Sequence, residues 1–118
     1  MVEFAIAAAV FITILLGIVE FGAAAWARNS VAADAREGAR YAMVRGATSG
    51  RIADSAMVAT FVKSKTSLDN SIQVVTTWSG AKAAGTMVSV KVRHAVARRG
   101  PFLGNHTDSS TSTMVVLY

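Results

Sequence analysis

Apolar positions are densest at the start of the chain. Between Phe4 and Ala27 there is no lysine, arginine or proline. At about 1.5 Å per residue, a helix over this stretch rises roughly 36 Å, enough to cross the hydrocarbon core of a bilayer. The stretch is longer than the apolar core of a cleaved secretory signal and lacks the basic start of one. We therefore predict a helix that is inserted in a membrane at some stage.

The helical pattern continues beyond the apolar stretch. Between Arg28 and Gly46, Gly38 is the only residue that disfavours a helix. Steps of about 100° per residue place Val31, Ala35, Gly38 and Ala42 on one stripe, opposite a charged face. The pattern predicts one helix over about residues 1–46. Residues 1–27 would form its transmembrane or filament-core half, and residues 28–118 its amphipathic half together with a globular head.

A face of small and polar residues follows the apolar half of this helix. It consists of Thr13, Gly17, Glu20, Ala24 and Ala27. Small residues let neighbouring helices approach closely, whereas lipid gains little from them. An ionised carboxylate at mid-membrane depth costs on the order of 3 kcal/mol, so Glu20 is expected to find a partner or a proton. Arg28 of the same helix lies about 12 Å along the axis, so we expect Arg28 or another cation of a staggered neighbour to pair with Glu20.

Glu3 stands at the start of the helix. An α-amino group two residues away, or one on an adjacent chain, would neutralise it where helix N-termini gather. The alternative is that Glu3 lies among lipid headgroups and Glu20 is protonated. We predict that Glu3, Glu20 and Arg28 align subunits. The residues predicted for helix packing are Phe4, Gly17, Phe21, Ala24 and Gly38.

The remainder of the chain predicts a small head. Residues 51–65 fit a short amphipathic helix with apolar residues Ile52, Ala53, Ala56, Met57, Ala59 and Phe61. A first strand has Ile72, Val74 and Trp78 on one side. The clearest strand follows, with Val88, Val90, Val92 and Val96 alternating on one face. Residues 97–110 are predicted to form a loop and 111–118 a last strand. A three-stranded antiparallel sheet packed on the long helix is the simplest α+β arrangement.

Composition narrows the chemistry. The 118 residues include no cysteine, which excludes disulfides, thiolate metal sites and cysteine nucleophiles. The net charge of +5 is spread from Arg28 to Arg99, as on a solvated surface. No glycine-rich phosphate loop, His-Glu-x-x-His pair or nucleophile elbow occurs, so we predict neither an enzyme nor a cofactor. His94 and His106 are the only histidines, and two unpaired histidines do not predict a metal site.

Two surface patterns leave alternatives open. Asn105 begins a sequon for N-linked glycosylation, although an exposed polar loop explains the same residues. Nucleic-acid binding would draw on cations that do not form a dense cluster, so it is an unsupported alternative. These cations are Lys63, Lys65, Arg93, Arg98 and Arg99.

Several stretches together resemble one family. They are VEFA at 2–5, LLGIVEFG at 15–22, AREGARYAMVRG at 35–46, and the alternating VSVKV before a GPF-containing loop and a terminal STMVV. They resemble the TadE-like pilins, which are pseudopilin relatives of type IV pilins in tight-adherence pilus systems. In type IV pilins a glutamate near the mature N-terminus helps to align the incoming subunit. Glu3 matches that glutamate, although it stands third here rather than fifth. The cysteine pair that family members often carry is absent.

The resemblance implies a type IV pilin-like fold and a structural role. The chain would be made with a short basic leader, cut by a prepilin peptidase, held in the bacterial inner membrane and assembled into an extracellular pilus. Our leading hypothesis is a subunit that polymerises with copies of itself through the N-terminal helix, with the pilus assembly machinery as a further partner. The alternatives are a minor pseudopilin that primes or caps a filament, and a membrane-anchored adhesin or DNA-binding module.

Overall fold

The computed structural model describes residues 1–69, 71–97 and 100–118 of the chain. The elements are α1 (Val2–Met43), α2 (Ser55–Lys65), β1 (Ile72–Trp78), β2 (Met87–Val96) and β3 (His106–Val115). The strands form one antiparallel sheet in the order β1-β2-β3. The molecule measures 74 × 21 × 18 Å along its principal axes, because α1 extends far beyond the head. The predicted α+β class, with a long helix, a short helix and a three-stranded antiparallel sheet, is confirmed.

α1 is continuous because no proline interrupts it, and its two halves have different surroundings. In the N-terminal half, 0% of the most apolar 18-residue stretch is buried. Within the described residues α1 is the one helix long and apolar enough to cross a membrane. Burial starts at Ala27 and follows a spacing of three and four residues, as expected for one helix face. The buried residues are Ala27, Val31, Ala35, Gly38, Ala39 and Ala42.

α1 ends at Met43, three residues before the predicted end at Gly46. The last carbonyls of a helix lack partners within the helix. Here the N–H of Leu117 donates to the Met43 carbonyl at 3.0 Å, and the N–H of Arg45 donates to the Ala42 carbonyl at 3.1 Å. The C-terminal segment therefore caps α1, a contact that the local pattern around residues 43–46 could not reveal.

α2 confirms the predicted short helix, and Ala53 just before it is buried as predicted, but Ile52, Ala56 and Met57 of the predicted apolar face are exposed. The buried residues of α2 are Val58 and Val62, whereas Ile52 and Met57 are 53% and 46% exposed. The reason is Gly38 on α1, which leaves room for these valines. A Cβ built at Gly38 would lie 2.7 Å from Cγ2 of Val62. α2 therefore turns its valines, rather than the residues around Met57, toward α1.

The sheet lays its valine face on α1. β1 pairs with β2 from Ile72 opposite His94 to Trp78 opposite Val88. Val88, Val90 and Val92 of β2 are 0% exposed, as their alternation predicted. His94 continues the same face and is buried too. The core of the head is thus the layer between the sheet, the C-terminal half of α1 and α2.

β3 begins earlier than predicted. It starts at His106, inside the segment expected to be a loop, and ends at Val115. Its ten residues pair with all ten of β2, from Val96 opposite His106 to Met87 opposite Val115. The outward positions of this strand carry threonine and serine, so no apolar alternation marks its first half. Pairing with β2, rather than local pattern, determines where β3 begins.

Candidate assembly surface

The apolar half of α1, residues 4–27, presents large apolar side chains to its surroundings. Phe4 and Phe21, both predicted to pack between helices, are 79% and 73% exposed. An apolar surface that is continuous over such a length is typical of a contact with lipid or with protein. This surface is therefore the first component of the candidate site.

One face of the apolar half is partly covered by the chain's own β2–β3 connection. Gly17, Glu20 and Ala24 are half-buried there. They lie beneath residues 100–104, which we call the loop tip. A Cβ built at Gly17 would lie 4.0 Å from Cε2 of Phe102. The face predicted to meet neighbouring helices thus meets the head first.

The loop tip binds the Glu20 carboxylate through main-chain N–H groups. The N–H of Phe102 donates to Oε2 at 3.1 Å, and the N–H of Leu103 donates to Oε1 at 2.6 Å. Charge-assisted hydrogen bonds of this kind are roughly twice as strong as neutral ones. Gly100 packs against the same carboxyl group so closely that a Cβ there would lie 2.5 Å from the carboxyl carbon. Glu20 therefore has partners within its own chain.

Arg28 contacts the head at a different point. Its Nε lies 3.8 Å from Oδ1 of Asp108, and the Arg28 side chain is 83% exposed. Because Arg28 is exposed and the two atoms are 3.8 Å apart, the pair contributes little stability, although the Asp108 side chain is buried. Oδ2 of Asp108 lies 3.5 Å from Nε2 of His106, whose Nδ1 lies 3.1 Å from the Gly104 carbonyl. Because the structure contains one chain, pairing of Glu20 with Arg28 of a neighbouring copy stays a prediction.

Glu3 is exposed in the first turn of α1. A negative charge in this position interacts favourably with the helix dipole. Glu20 lies seventeen residues further along the helix, about 25 Å away. The three residues predicted to align subunits therefore lie at separate levels of α1 and do not form one cluster within the chain.

Comparison with known families concerns this same helix. Residues 1–40 match the family model described as TadE-like protein. Over this segment the chain is TadE-like. The predicted resemblance to that family is thereby confirmed for residues 1–40, while the stretches quoted from residue 41 onward lie outside the match. No curated protein and no solved structure matches the chain.

The TadE-like segment contains the apolar half of α1 and most of the buried stripe. It includes Glu3, Glu20 and Arg28, together with all five residues predicted for helix packing. Of these five, Gly38 faces Val62 and Val90 of the head. The loop tip and the sheet lie outside the match, so the hydrogen bonds of Glu20 join the TadE-like segment to a region without a family assignment.

A second polar cluster lies at the end of the sheet where Ile72 of β1 pairs with His94 of β2. Nε2 of the buried His94 is 3.1 Å from Oδ1 of Asp69. Asp69 also accepts hydrogen bonds from the hydroxyl and the N–H of Ser71, which lower its pKa below the usual value, and His94 acts in the same direction. Within residues 1–69, 71–97 and 100–118, no three His, Asp or Glu side chains are placed to hold a metal ion.

Asp69→Asn is expected to reduce the acid sensitivity of the head. Because the pKa of Asp69 is lowered on folding, its stabilising effect is present above about pH 3.8 and is lost as the pH falls through the lower folded value. Urea unfolding of the full chain in detergent micelles at about pH 5 and about pH 3 should show a smaller pH-dependent loss in the variant than in the wild type. Glu37→Gln, which removes an exposed carboxylate of α1, is the control. An equal loss in all three proteins would contradict the prediction.

A cavity of about 470 Å³ opens between α1 and the loop tip. Its walls include Leu16, Val19 and Ala23 from α1, and Val96 and Leu103 from the other side. His94 and Asp69 also line it. The cavity therefore continues the apolar surface of α1 underneath the loop tip.

The residues of the weaker predictions lie on the surface. Asn105 is exposed just before β3. Lys63 and Lys65 are exposed in the last turn of α2, and Arg93 is exposed on β2. Arg98 and Arg99 lie outside the described residues. Glycosylation at Asn105 and nucleic-acid binding therefore stay predictions.

The loop tip and Asp108 are the functional candidates that the sequence did not reveal. Phe102 and Leu103 act on Glu20 through main-chain N–H groups, which every residue except proline carries. The only local signal is that Gly100 and Gly104 enclose the chain's one proline and two large apolar residues, a pattern typical of a loop that packs its apolar side chains on a surface.

Proposed function

We propose that this protein is a structural, pilin-like subunit of a Tad-type pilus. The observation that supports the proposal best is the uncovered apolar half of α1 within a segment that matches the TadE-like family. Such a surface is stable only in lipid or among other apolar helices. A subunit that resides first in the inner membrane and later in a filament core meets this requirement at both stages.

Packing among copies follows from the residues of the apolar half. Phe4 and Phe21 supply exposed apolar area for a neighbouring helix, whereas the small residues Gly17 and Ala24 already lie beneath the loop tip of the same chain. Within the filament, Glu3 pairs with an α-amino group of an adjacent chain. Arg28, with its exposed guanidinium, is available to a carboxylate of a neighbouring subunit. The head faces outward and contributes the pilus surface.

The wider partners are those that the resemblance to TadE-like pilins implies. We propose that a prepilin peptidase processes the chain and that the pilus assembly machinery extracts it from the inner membrane. Two alternatives have the same membrane stage. A minor pseudopilin would prime or cap a filament built from another subunit, and a membrane-anchored adhesin or DNA-binding module would stay single in the membrane.

Shearing of cells separates these functions. If the chain is the main subunit, the released material contains filaments in which this chain is the predominant protein by quantitative mass spectrometry. A minor pseudopilin would appear in the same filaments at low copy number. Recovery of the chain only from the membrane fraction, with no filament containing it, would contradict polymerisation and favour the anchored module.

A further inference from the structure

The loop tip lies far down the side of α1, below the level where the head ends. Trp26 is half-exposed near the junction of the apolar half with the head, and Arg28 follows it. Tryptophan and arginine favour the boundary between lipid and water. Relative to Trp26, Glu20 lies about 9 Å and Gly17 about 14 Å nearer the N-terminus of α1. Phe102, which packs beside Gly17, therefore reaches a level at which α1 is surrounded by acyl chains.

The exposed side chains of the loop tip match such surroundings. Phe102 and Leu103 are 53% and 37% exposed, although both are strongly apolar. They lie beside the uncovered apolar surface of α1, and Glu20, the charged residue at this contact, is held by the main-chain N–H groups of the loop tip. Residues 100–104 contain no charged side chain at all. A loop that faced only water would gain nothing from this composition.

The main-chain N–H groups at residues 101–103 of the loop tip need no hydrogen bonds from water. Irregular backbone is costly in lipid because its N–H groups lack hydrogen-bond partners there. Pro101 has no N–H, and the N–H groups of Phe102 and Leu103 both donate to Glu20. In turn, the two amides satisfy a carboxylate that would otherwise be costly in the membrane. The two hydrogen bonds thus lower two costs of entering the bilayer: that of unpaired N–H groups in the loop tip and that of the Glu20 carboxylate.

We propose that the loop tip is a membrane-inserting element, which enters the upper acyl-chain region of the bilayer beside α1 with Glu20 as the acceptor for its main-chain N–H groups. The partner is the lipid bilayer on the side of the head. The membrane-bound subunit is then anchored by two segments, and its head is held in one orientation against the bilayer surface. The proposal requires that α1 is inserted in a membrane, and it does not depend on polymerisation.

Depth-dependent fluorescence quenching tests the proposal directly. The chain has no cysteine, so single-cysteine variants can be labelled at one site. Gly104→Cys labels the loop tip and keeps Phe102 and Leu103, and a Cβ at Gly104 meets no atom within 4 Å. Ile14→Cys in the apolar half of α1 reports insertion, and Ser109→Cys on the exposed face of β3 reports water. The full chain is reconstituted in vesicles of phosphatidylcholine and phosphatidylglycerol with acyl-chain-brominated lipid, and iodide serves as the aqueous quencher.

We expect brominated lipid to quench the label at position 104 several-fold more than the label at 109, and iodide to show the reverse order. Strong iodide quenching at 104 together with lipid quenching at 14 would overturn the proposal while leaving membrane insertion of α1 intact. A label at 104 that neither quencher reaches would mean that protein, such as the helix of a second copy, covers the loop tip, and would also overturn the assignment to lipid. Absence of lipid quenching at 14 would refute insertion itself, and with it the membrane stage of the proposed function.

The role of Glu20 has its own test. In the Gly104→Cys background, Glu20→Ala removes the acceptor of two main-chain N–H groups, and quenching of the label by brominated lipid is expected to fall toward the level at 109. Glu37→Ala, which removes an exposed carboxylate from the same helix, is the matched control and should leave the quenching unchanged. If Glu20→Ala also leaves it unchanged, Glu20 is not what allows the loop tip to enter the bilayer.

Discussion

Glu3→Ala is expected to reduce the yield of sheared filaments about tenfold or more, which corresponds to about 1.4 kcal/mol or more per subunit added. The amount of chain in the membrane fraction should stay the same. The expectation rests on the position of Glu3 in the first turn of α1, where its exposed carboxylate projects from the apolar helix. In the proposed membrane stage this end of the helix would reach the hydrated headgroups, so loss of the charge should have little effect on insertion.

The proposed filament would place the same residue in different surroundings. In the proposed filament core, the N-termini of several helices would be enclosed by apolar side chains, and a charge in a medium of low dielectric constant interacts strongly with its neighbours. Removal of one partner from a buried ion pair typically costs about 3–5 kcal/mol, because the other charge is left uncompensated. For Glu3→Ala, the uncompensated group is the α-amino group of an adjacent subunit.

Glu37→Ala is the matched control for assembly as well. It removes the same side chain from the same helix, but at an exposed position beyond the apolar half. Filament yield is measured by immunoblotting of sheared material, normalised to the chain in the membrane. Equal yields for the two variants would remove Glu3 from the assembly mechanism, whereas a low membrane level of Glu3→Ala would show that its defect lies in insertion.

The fold could be predicted where one physical requirement dominates a segment. The run from Phe4 to Ala27 predicts a helix because main-chain N–H and C=O groups in the bilayer core need hydrogen-bond partners within the protein. A helix supplies those partners within one segment. The alternating valines of β2 indicate a strand with one buried face. Both segments carry their signal in consecutive side chains, and the structure agrees with the prediction in both.

The predictions are wrong where a contact with a segment distant in sequence determines the buried face or the end of an element. The buried face of α2 depends on the space left by Gly38 on another helix. The start of β3 depends on pairing with β2, since its own residues are mostly hydroxylated. Met43 becomes the end of α1 because Leu117, at the other end of the chain, caps it. None of these contacts has a signal in the residues nearest to it.

The candidate site shows the same division. The need of Glu20 for a partner could be inferred from its apolar surroundings, but the identity of that partner could not. Within the chain the partners are two main-chain N–H groups about eighty positions away. Every residue except proline carries such a donor, so the amino-acid sequence does not distinguish these two. The sequence predicts a cation of a neighbouring copy, such as its Arg28, and this pairing stays a prediction; within the single chain Arg28 lies beside Asp108.

Gly46→Ala is expected to destabilise the head by about 3 kcal/mol or more, at the upper end of the usual cost of overpacking. A Cβ at this position would lie 1.6 Å from the main-chain oxygen of Tyr118 and 2.7 Å from that of Lys82. It would also lie 2.4 Å from Cγ1 of Val116. Two of these three atoms belong to the main chain, so rotation of a side chain cannot relieve the overlap.

The overlap would push the C-terminal segment, residues 116–118, away from the end of α1 and from Thr86. The N–H of Val116 donates to the Thr86 carbonyl at 2.8 Å, and the N–H of Leu117 donates to Met43 at the end of α1. Moving the C-terminal segment away from Gly46 weakens both hydrogen bonds and withdraws Val116, which is 1% exposed, from the core. One added methyl group therefore affects the end of α1, the edge of the sheet and the core together.

Unfolding of the full chain in detergent micelles by urea, followed through Trp78 fluorescence in a Trp26→Phe background, measures the effect. Gly104→Ala is the matched control, because the same methyl group there meets no atom within 4 Å. Since Val116 is one of the groups in conflict, the Gly46→Ala, Val116→Ala double variant should lose less stability than the sum of the single variants. A loss below about 1 kcal/mol for Gly46→Ala, within the range of ordinary substitutions, would mean that the C-terminal segment does not pack against the end of α1 as described.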